Sequence, residues 1–167
     1  MIDDNTISYT PIGFIRTPFE QPKGMPIQAA YAPDAEGIIE LEPAYAAGLK
    51  DLDGFSHITL LYHFHRSPGH ALQVKPFLDS EERGIFAVRA PRRPNPIGLS
   101  VVRLERIEGS RLFVRGVDML NGTPLLDIKP FVPAFDTRDV ERVGWLTGRG
   151  EAGWQVQSDG RFAKDGE

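Results

Sequence analysis

Arg89, Arg92, Arg93 and Asn95 stand close together in the stretch Arg-Ala-Pro-Arg-Arg-Pro-Asn-Pro-Ile-Gly-Leu-Ser, residues 89–100. Guanidinium forks and a side-chain amide are groups that grip an anion or a planar polar ligand. Pro91, Pro94 and Pro96 hold φ at about −65° and push each preceding residue out of the helical region, so the stretch is neither helix nor interior strand. It reads as a stiff, extended loop with little chain entropy left to lose. A proline-rich connector whose arginines are merely solvated fits the same residues.

Three further groups carry chemistry. His57, His63 and His65 fall on one face of a two-residue repeat, a spacing at which imidazoles can share a metal ion. With no acidic fourth ligand evident, they are read as local hydrogen-bonding groups, and no metal site is expected. Asp118, Asp127 and Lys129 bracket the Asn121-Gly122 pair, a strong tight-turn signal that would bring the three charges near one another. Paired carboxylates can do acid/base work, while an Asp127–Lys129 ion pair explains the same residues without a reaction. Gly122-Thr123 adds backbone N–H groups and a hydroxyl suited to a carboxylate or a ribose.

The elements that must position these groups are short. Residues 7–17 suggest an irregular edge strand containing Pro11 and Gly13, and residues 18–35 a loop too long for a plain connection, hence a binding loop. A strand over 37–42 precedes a brief helix over 43–49 with Pro43 at its start. Over 55–64 the residues alternate, with Ile58, Leu60, Tyr62 and Phe64 on one face, the pattern of a central strand. Further strands are expected over 84–88, 99–107, 111–117 and 125–128, the middle two joined as a hairpin by Glu108-Gly109-Ser110. Residues 140–146 read as a helical turn or an edge strand, and 154–156 as a small strand. The expected fold is mainly β: a barrel-like, strongly bent sheet with short helices and no Rossmann domain. Residues 1–146 form that barrel unit, and 147–167 a loosely attached tail.

Composition sets outer bounds. The 167 residues are 41% hydrophobic and 25% charged, as in an ordinary soluble protein, with no bilayer-spanning run and no signal peptide, so a cytoplasmic protein is expected. Without cysteine there is no disulfide frame, thiolate nucleophile or Cys-based zinc site. A net charge of −4 disfavours nucleic-acid binding through the whole surface but not through a local basic patch. Phosphate loops, dinucleotide fingerprints and serine nucleophile elbows do not occur.

Taken together, residues 12–19 (Ile-Gly-Phe-Ile-Arg-Thr-Pro-Phe), 54–57, 84–89, 93–98 (Arg-Pro-Asn-Pro-Ile-Gly) and 121–130 (Asn-Gly-Thr-Pro-Leu-Leu-Asp-Ile-Lys-Pro) resemble the TsaA-like family. The resemblance spans about residues 7–132. It implies a barrel-like β fold, a homodimer, S-adenosyl-L-methionine as cofactor, and methyl transfer to N6 of threonylcarbamoyladenosine next to the anticodon of tRNA. Matched residue by residue, it implies cofactor contacts at Gln28, His65, Arg66, Arg89, Leu99 and the segment Asp118, Asn121, Gly122 and Thr123, with Asn95 binding cofactor or stabilising the loop. Many members have Asp where this chain has Asn121, and Tyr where it has Phe131; larger bacterial members carry a further C-terminal region.

On this reading Asp118 or Asp127, with Lys129 alongside, supplies the base for a poorly basic exocyclic nitrogen. Arg89 holds the cofactor carboxylate, and Arg92 or Arg93 a tRNA phosphate. Two rival readings stay open: a methyltransferase acting on another small molecule or nucleic acid, and a non-catalytic module that senses a nucleotide-like metabolite.

Overall fold

The structure is a computed structural model that describes residues 5–163. The first four residues of the expected barrel unit and the last four of the expected tail lie outside that range.

Strands β1 (Gly13–Arg16), β2 (Glu36–Leu41), β3 (His57–His63), β6 (Ile97–Glu108), β7 (Arg111–Arg115) and β8 (Thr123–Pro130) close into a barrel in the order β1-β2-β7-β6-β3-β8. Every neighbouring pair is antiparallel. β4 (Gln73–Val74) and β5 (Arg83–Gly84) form a separate two-stranded sheet, and one short helix, α1 (Pro133–Asp136), follows β8. Among the described residues no helix is long and apolar enough to cross a membrane.

Alternation builds the barrel. Ile58, Leu60 and Tyr62 of β3 point inward beside Val102 and Leu104 of β6, Leu112 and Val114 of β7, and Ile15, Ile39 and Leu125, all buried in one cluster. Fully burying such a side chain contributes about 1.5–3 kcal/mol, and closure removes the sheet edges. β6 pairs with β3 through residues 97–103 and with β7 through 103–108. Where β7 has ended, at Arg115, the chain runs on through Val117 and Asp118 against the first half of β6.

A second apolar cluster lies apart from the barrel. Val74, Ile85, Ala90 and Phe162 are buried in it, with Phe77 and Val88 packed alongside. Residues 147–163 are fastened there and to the early loop: Arg149 pairs with Asp79 at 2.6 Å, and Phe162 meets Phe77 edge to face at 4.9 Å.

Several expected elements are corrected. The strand expected over 84–88 is a 3-10 turn, Ile85–Ala87, because the Arg93 guanidinium takes the carbonyls of Ile85 (3.0 Å) and Val88 (2.6 Å) that a ladder would use. The first strand shrinks to Gly13–Arg16, and the last lengthens to Thr123–Pro130 with β1 and β3 on its two sides. The small strand expected at 154–156 is not formed; Gly150–Gln155 is 3-10, and the bridge joins Pro26 to Gln157. Residues 140–146, expected as a helical turn or an edge strand, take the first form in the 3-10 turn Gly144–Leu146. The strand over 55–64, the helical segment Pro43–Leu49 and the 108–110 hairpin stand as expected.

Candidate functional site

Between the barrel and the second cluster lies a cavity of about 790 Å³, within the range of small-molecule sites. The early loop contributes Met25, Ile27, Gln28 and Tyr31; the end of β3 contributes Tyr62, Phe64, His65 and Arg66. Arg89 and Leu99 come from either side of the proline loop, and Asp118, Leu120 and Thr123 from the segment before β8.

Asp118 is the chemical centre. The buried hydroxyl of Ser100, 2% exposed, donates to its Oδ1 at 2.5 Å, and Ser100 Oγ lies 2.8 Å from the Tyr62 hydroxyl. A serine hydroxyl has one proton; with that proton directed at Asp118, Tyr62 must donate to Ser100. The Tyr62 hydroxyl holds its proton, because burial and then the Asp118 charge push its pKa far above the ordinary phenol range. Burial also lifts Asp118 from 3.8 to about 6, against the Ser100 hydrogen bond, backbone N–H groups and the Arg89 charge, which all favour the carboxylate. The result is a carboxylate with a fixed orientation and a proton affinity near neutrality, the requirement for a general base. Gly98 makes room for this row: a Cβ there would fall 2.2 Å from the Tyr62 ring.

Arg89, whose charge acts on Asp118, also lines the cavity, and its Nη1 donates to Gln28 Oε1 at 3.5 Å. Its guanidinium supplies a fork for a carboxylate. His65 is held toward its neutral form by burial and then by the neighbouring Arg66 and His63 charges, while Arg66 reaches the Glu20 carbonyl at 2.8 Å. The aromatic walls, a cationic fork at one side and a carboxylate at the other fit a ligand with a flat base, a carboxylate and a positive centre.

Of the predicted site residues, Gln28, His65, Arg66, Arg89, Arg93, Leu99, Asp118 and Thr123 meet at this cavity. The others are placed elsewhere. Asp127 and Lys129 pair with each other at 2.8 Å on the outside of the barrel. The cause is a bulge: Tyr62 faces Leu125, but Leu61 faces Asp127, so the extra residue, Leu126, turns Ile128 inward and Asp127 outward. Asn121 clips the early loop instead of lining the cavity, accepting from Thr17 N–H at 3.2 Å and donating to Glu20 Oε1 at 2.8 Å. Gly122, at φ +77°, shapes that corner, and its N–H goes to the Ile15 carbonyl. Asn95 is exposed on the loop, where its carbonyl accepts from Ile97 N–H. Arg93, expected on phosphate, lines the cavity while its Nη1 donates to the carbonyls of Ile85, Val88 and Ala90. Arg92 is not among the cavity residues. His57 hydrogen-bonds Ser56 Oγ at 2.9 Å, and β3 ends before His65, so the three histidines share no common site.

Tyr62 and Ser100 were missed as functional groups. Each left a trace in the sequence: a phenol on the apolar face of a strand, and a hydroxyl at an inward position of an apolar alternation, both needing a partner.

Comparison with known proteins gives a consistent picture. Residues 14–137 match the tRNA-methyltransferase O N-terminal domain. The chain is 53% identical over 156 residues to a probable S-adenosyl-L-methionine-binding protein of Pyrococcus abyssi, covering 93% of this chain and 85% of that one. It is 34% identical to a tRNA (adenine(37)-N6)-methyltransferase of Rattus norvegicus over 76% of this chain but only 31% of the rat protein. A crystal structure of TrmO from Pseudomonas aeruginosa superposes with a TM-score of 0.72 at 42% identity, over 87% of this chain and 64% of the other. The chain thus spans just under two thirds of that solved protein.

Proposed function

The chain belongs to the tRNA-methyltransferase O N-terminal-domain family, and from that premise we propose that it transfers a methyl group from S-adenosyl-L-methionine to N6 of threonylcarbamoyladenosine beside the anticodon of tRNA. The observation that carries this reading is Asp118, oriented by Ser100 and lining one aromatic-walled cavity with Arg89, whose charge acts on it. The rat relative supports an adenine N6 acceptor, and the Pyrococcus relative supports the cofactor.

When bound, the cofactor supplies an electrophilic methyl on a sulfonium. Arg89 and Gln28 would hold its carboxylate end, and Tyr31 and Phe64 would exclude water from the reacting centre. Asp118 would take the proton that leaves N6 as the N–C bond forms and the sulfonium S–CH3 bond breaks to leave a neutral thioether, and Ser100 and Tyr62 keep the accepting oxygen in place. Asp127 is not proposed as the base, since the bulge sets it on the outside. Of the two arginines expected on tRNA phosphate, Arg92 keeps that role in this reading, Arg93 being held by backbone carbonyls. The working unit is a cytoplasmic homodimer; the exposed apolar Ile97 and Leu99 at the cavity rim support a covered face there.

The test is methylation of tRNA carrying threonylcarbamoyladenosine by the purified chain, followed by nucleoside mass spectrometry. A methylated product that appears with the parent and not with Asp118→Asn is expected. Methylation of unmodified adenosine instead would overturn the acceptor, and equal turnover by both proteins would overturn the base.

A further inference from the structure

The cavity extends beyond the matched residues 14–137: Trp145, Leu146, Ser158, Phe162 and Ala163 also line it. These residues are bonded to three otherwise separate parts of the wall. Ser158 exchanges backbone hydrogen bonds with the early loop, accepting from Gly24 N–H at 2.6 Å and donating to Met25 O at 2.8 Å, a few residues before Gln28. Tyr31 donates to the Gly150 carbonyl at 2.5 Å and stacks edge to face on Trp154. The Trp145 indole N–H donates to the Ala87 carbonyl at 2.8 Å, two residues before Arg89. Phe162, 9% exposed, completes the second cluster, and Arg161 donates to the Pro76 carbonyl at 3.1 Å.

Each bond is individually small. Their distribution is what matters: one segment ties the Gln28 loop to the turn that carries Arg89, and those two side chains meet at 3.5 Å. We propose that residues 145–163 are a working wall of the cofactor site, positioning Gln28 and Arg89 for the carboxylate end of the ligand. The inference rests on the cofactor reading above. It follows that occupancy of the site and attachment of this segment are linked, each favouring the other.

Calorimetry with S-adenosyl-L-methionine on the full chain, Phe162→Ala and Trp145→Phe tests this, with limited trypsin digestion alongside. The parent is expected to bind. Phe162→Ala should raise Kd by about tenfold or more, from the lost packing, and Trp145→Phe, which keeps the ring and loses the N–H, by about fivefold. Turnover assays across cofactor concentrations should show the loss chiefly as a raised KM for the cofactor. Saturating cofactor should slow cleavage after Arg149 in the parent and less so in the variants. If Phe162→Ala does not fold, Trp145→Phe decides. A Kd for Trp145→Phe equal to the parent's, with cleavage unaffected by cofactor, overturns the inference while leaving the cofactor reading intact. No binding to the parent overturns both, and is told apart by that result alone.

Discussion

The barrel interior and the cluster around Phe162 use the same kinds of side chain, yet they hold them differently. In the barrel Ile15, Ile39, Ile58, Leu60, Leu112 and Leu125 are wholly excluded from solvent and locked by strand registers on both sides. The second cluster is assembled from a two-stranded sheet, a 3-10 turn and a late segment, and its members Val74 and Phe162 keep a little exposure. Asp118, Ser100 and Tyr62 belong to the first region; Arg89 and the apolar walls belong to the second. On the proposed function, chemistry would sit on the barrel and ligand capture on the second cluster, so turnover and affinity should be separable by mutation.

Four measurements sharpen or break that division, in order of expected size. Asp118→Asn should lower kcat by about 10²–10⁴ with little change in cofactor Kd by calorimetry; a parallel loss of affinity would place Asp118 among the binding groups. The parent's kcat should rise as pH passes about 6, where the Asp118 carboxylate forms. The sign for stability is opposite. Its folded pKa lies above the ordinary 3.8, so the buried charge removes stability as pH climbs from about 4 to 6, and Asp118→Asn should melt higher than the parent at pH 8.

Leu60→Ala should cost about 2–5 kcal/mol in denaturant unfolding, from the cavity left in a core that cannot collapse. A loss no greater than that of Phe77→Ala in the second cluster would erase the contrast between the two regions. Ser100→Ala should lower kcat by about tenfold and move the pH midpoint upward, because the Ser100 bond favours the carboxylate; an unmoved midpoint would make Ser100 a packing residue only. Smallest is Asn121→Asp. It keeps the acceptor for Thr17 but sets a carboxylate against Glu20, and should cost about 1 kcal/mol in thermal unfolding, with turnover unchanged.

What could be read beforehand follows the same boundary. The period-two pattern in Ile58, Leu60 and Tyr62 identified β3 and its inner face, and the Gly109 turn its hairpin neighbours, because inward burial enforces alternation. Arg89 was legible from its rigid loop. The Ile85–Ala87 turn was not, since the residue that diverts its carbonyls is Arg93, a side chain further along whose target cannot be counted from sequence. Ser100 was hidden because a hydroxyl inside an apolar strand looks like any β residue until Asp118 arrives opposite it from the segment after β7. The packing of residues 147–163 rests on scattered single contacts with no repeat to detect.

One extra residue in β8 reaches further than its size suggests. Because the bulge absorbs Leu126, Asp127 and Lys129 stay outside and Ile128 inside, where strict alternation from Leu125 would have reversed all three, so their environments depend on chain arithmetic as much as on their own polarity. Deleting that single leucine would keep Asp127 opposite Leu61 and Ile128 opposite Leu60 and merely straighten the strand, whereas one more residue added beside it, with no second bulge to absorb it, would carry a carboxylate into the oily interior and drive an isoleucine out to water.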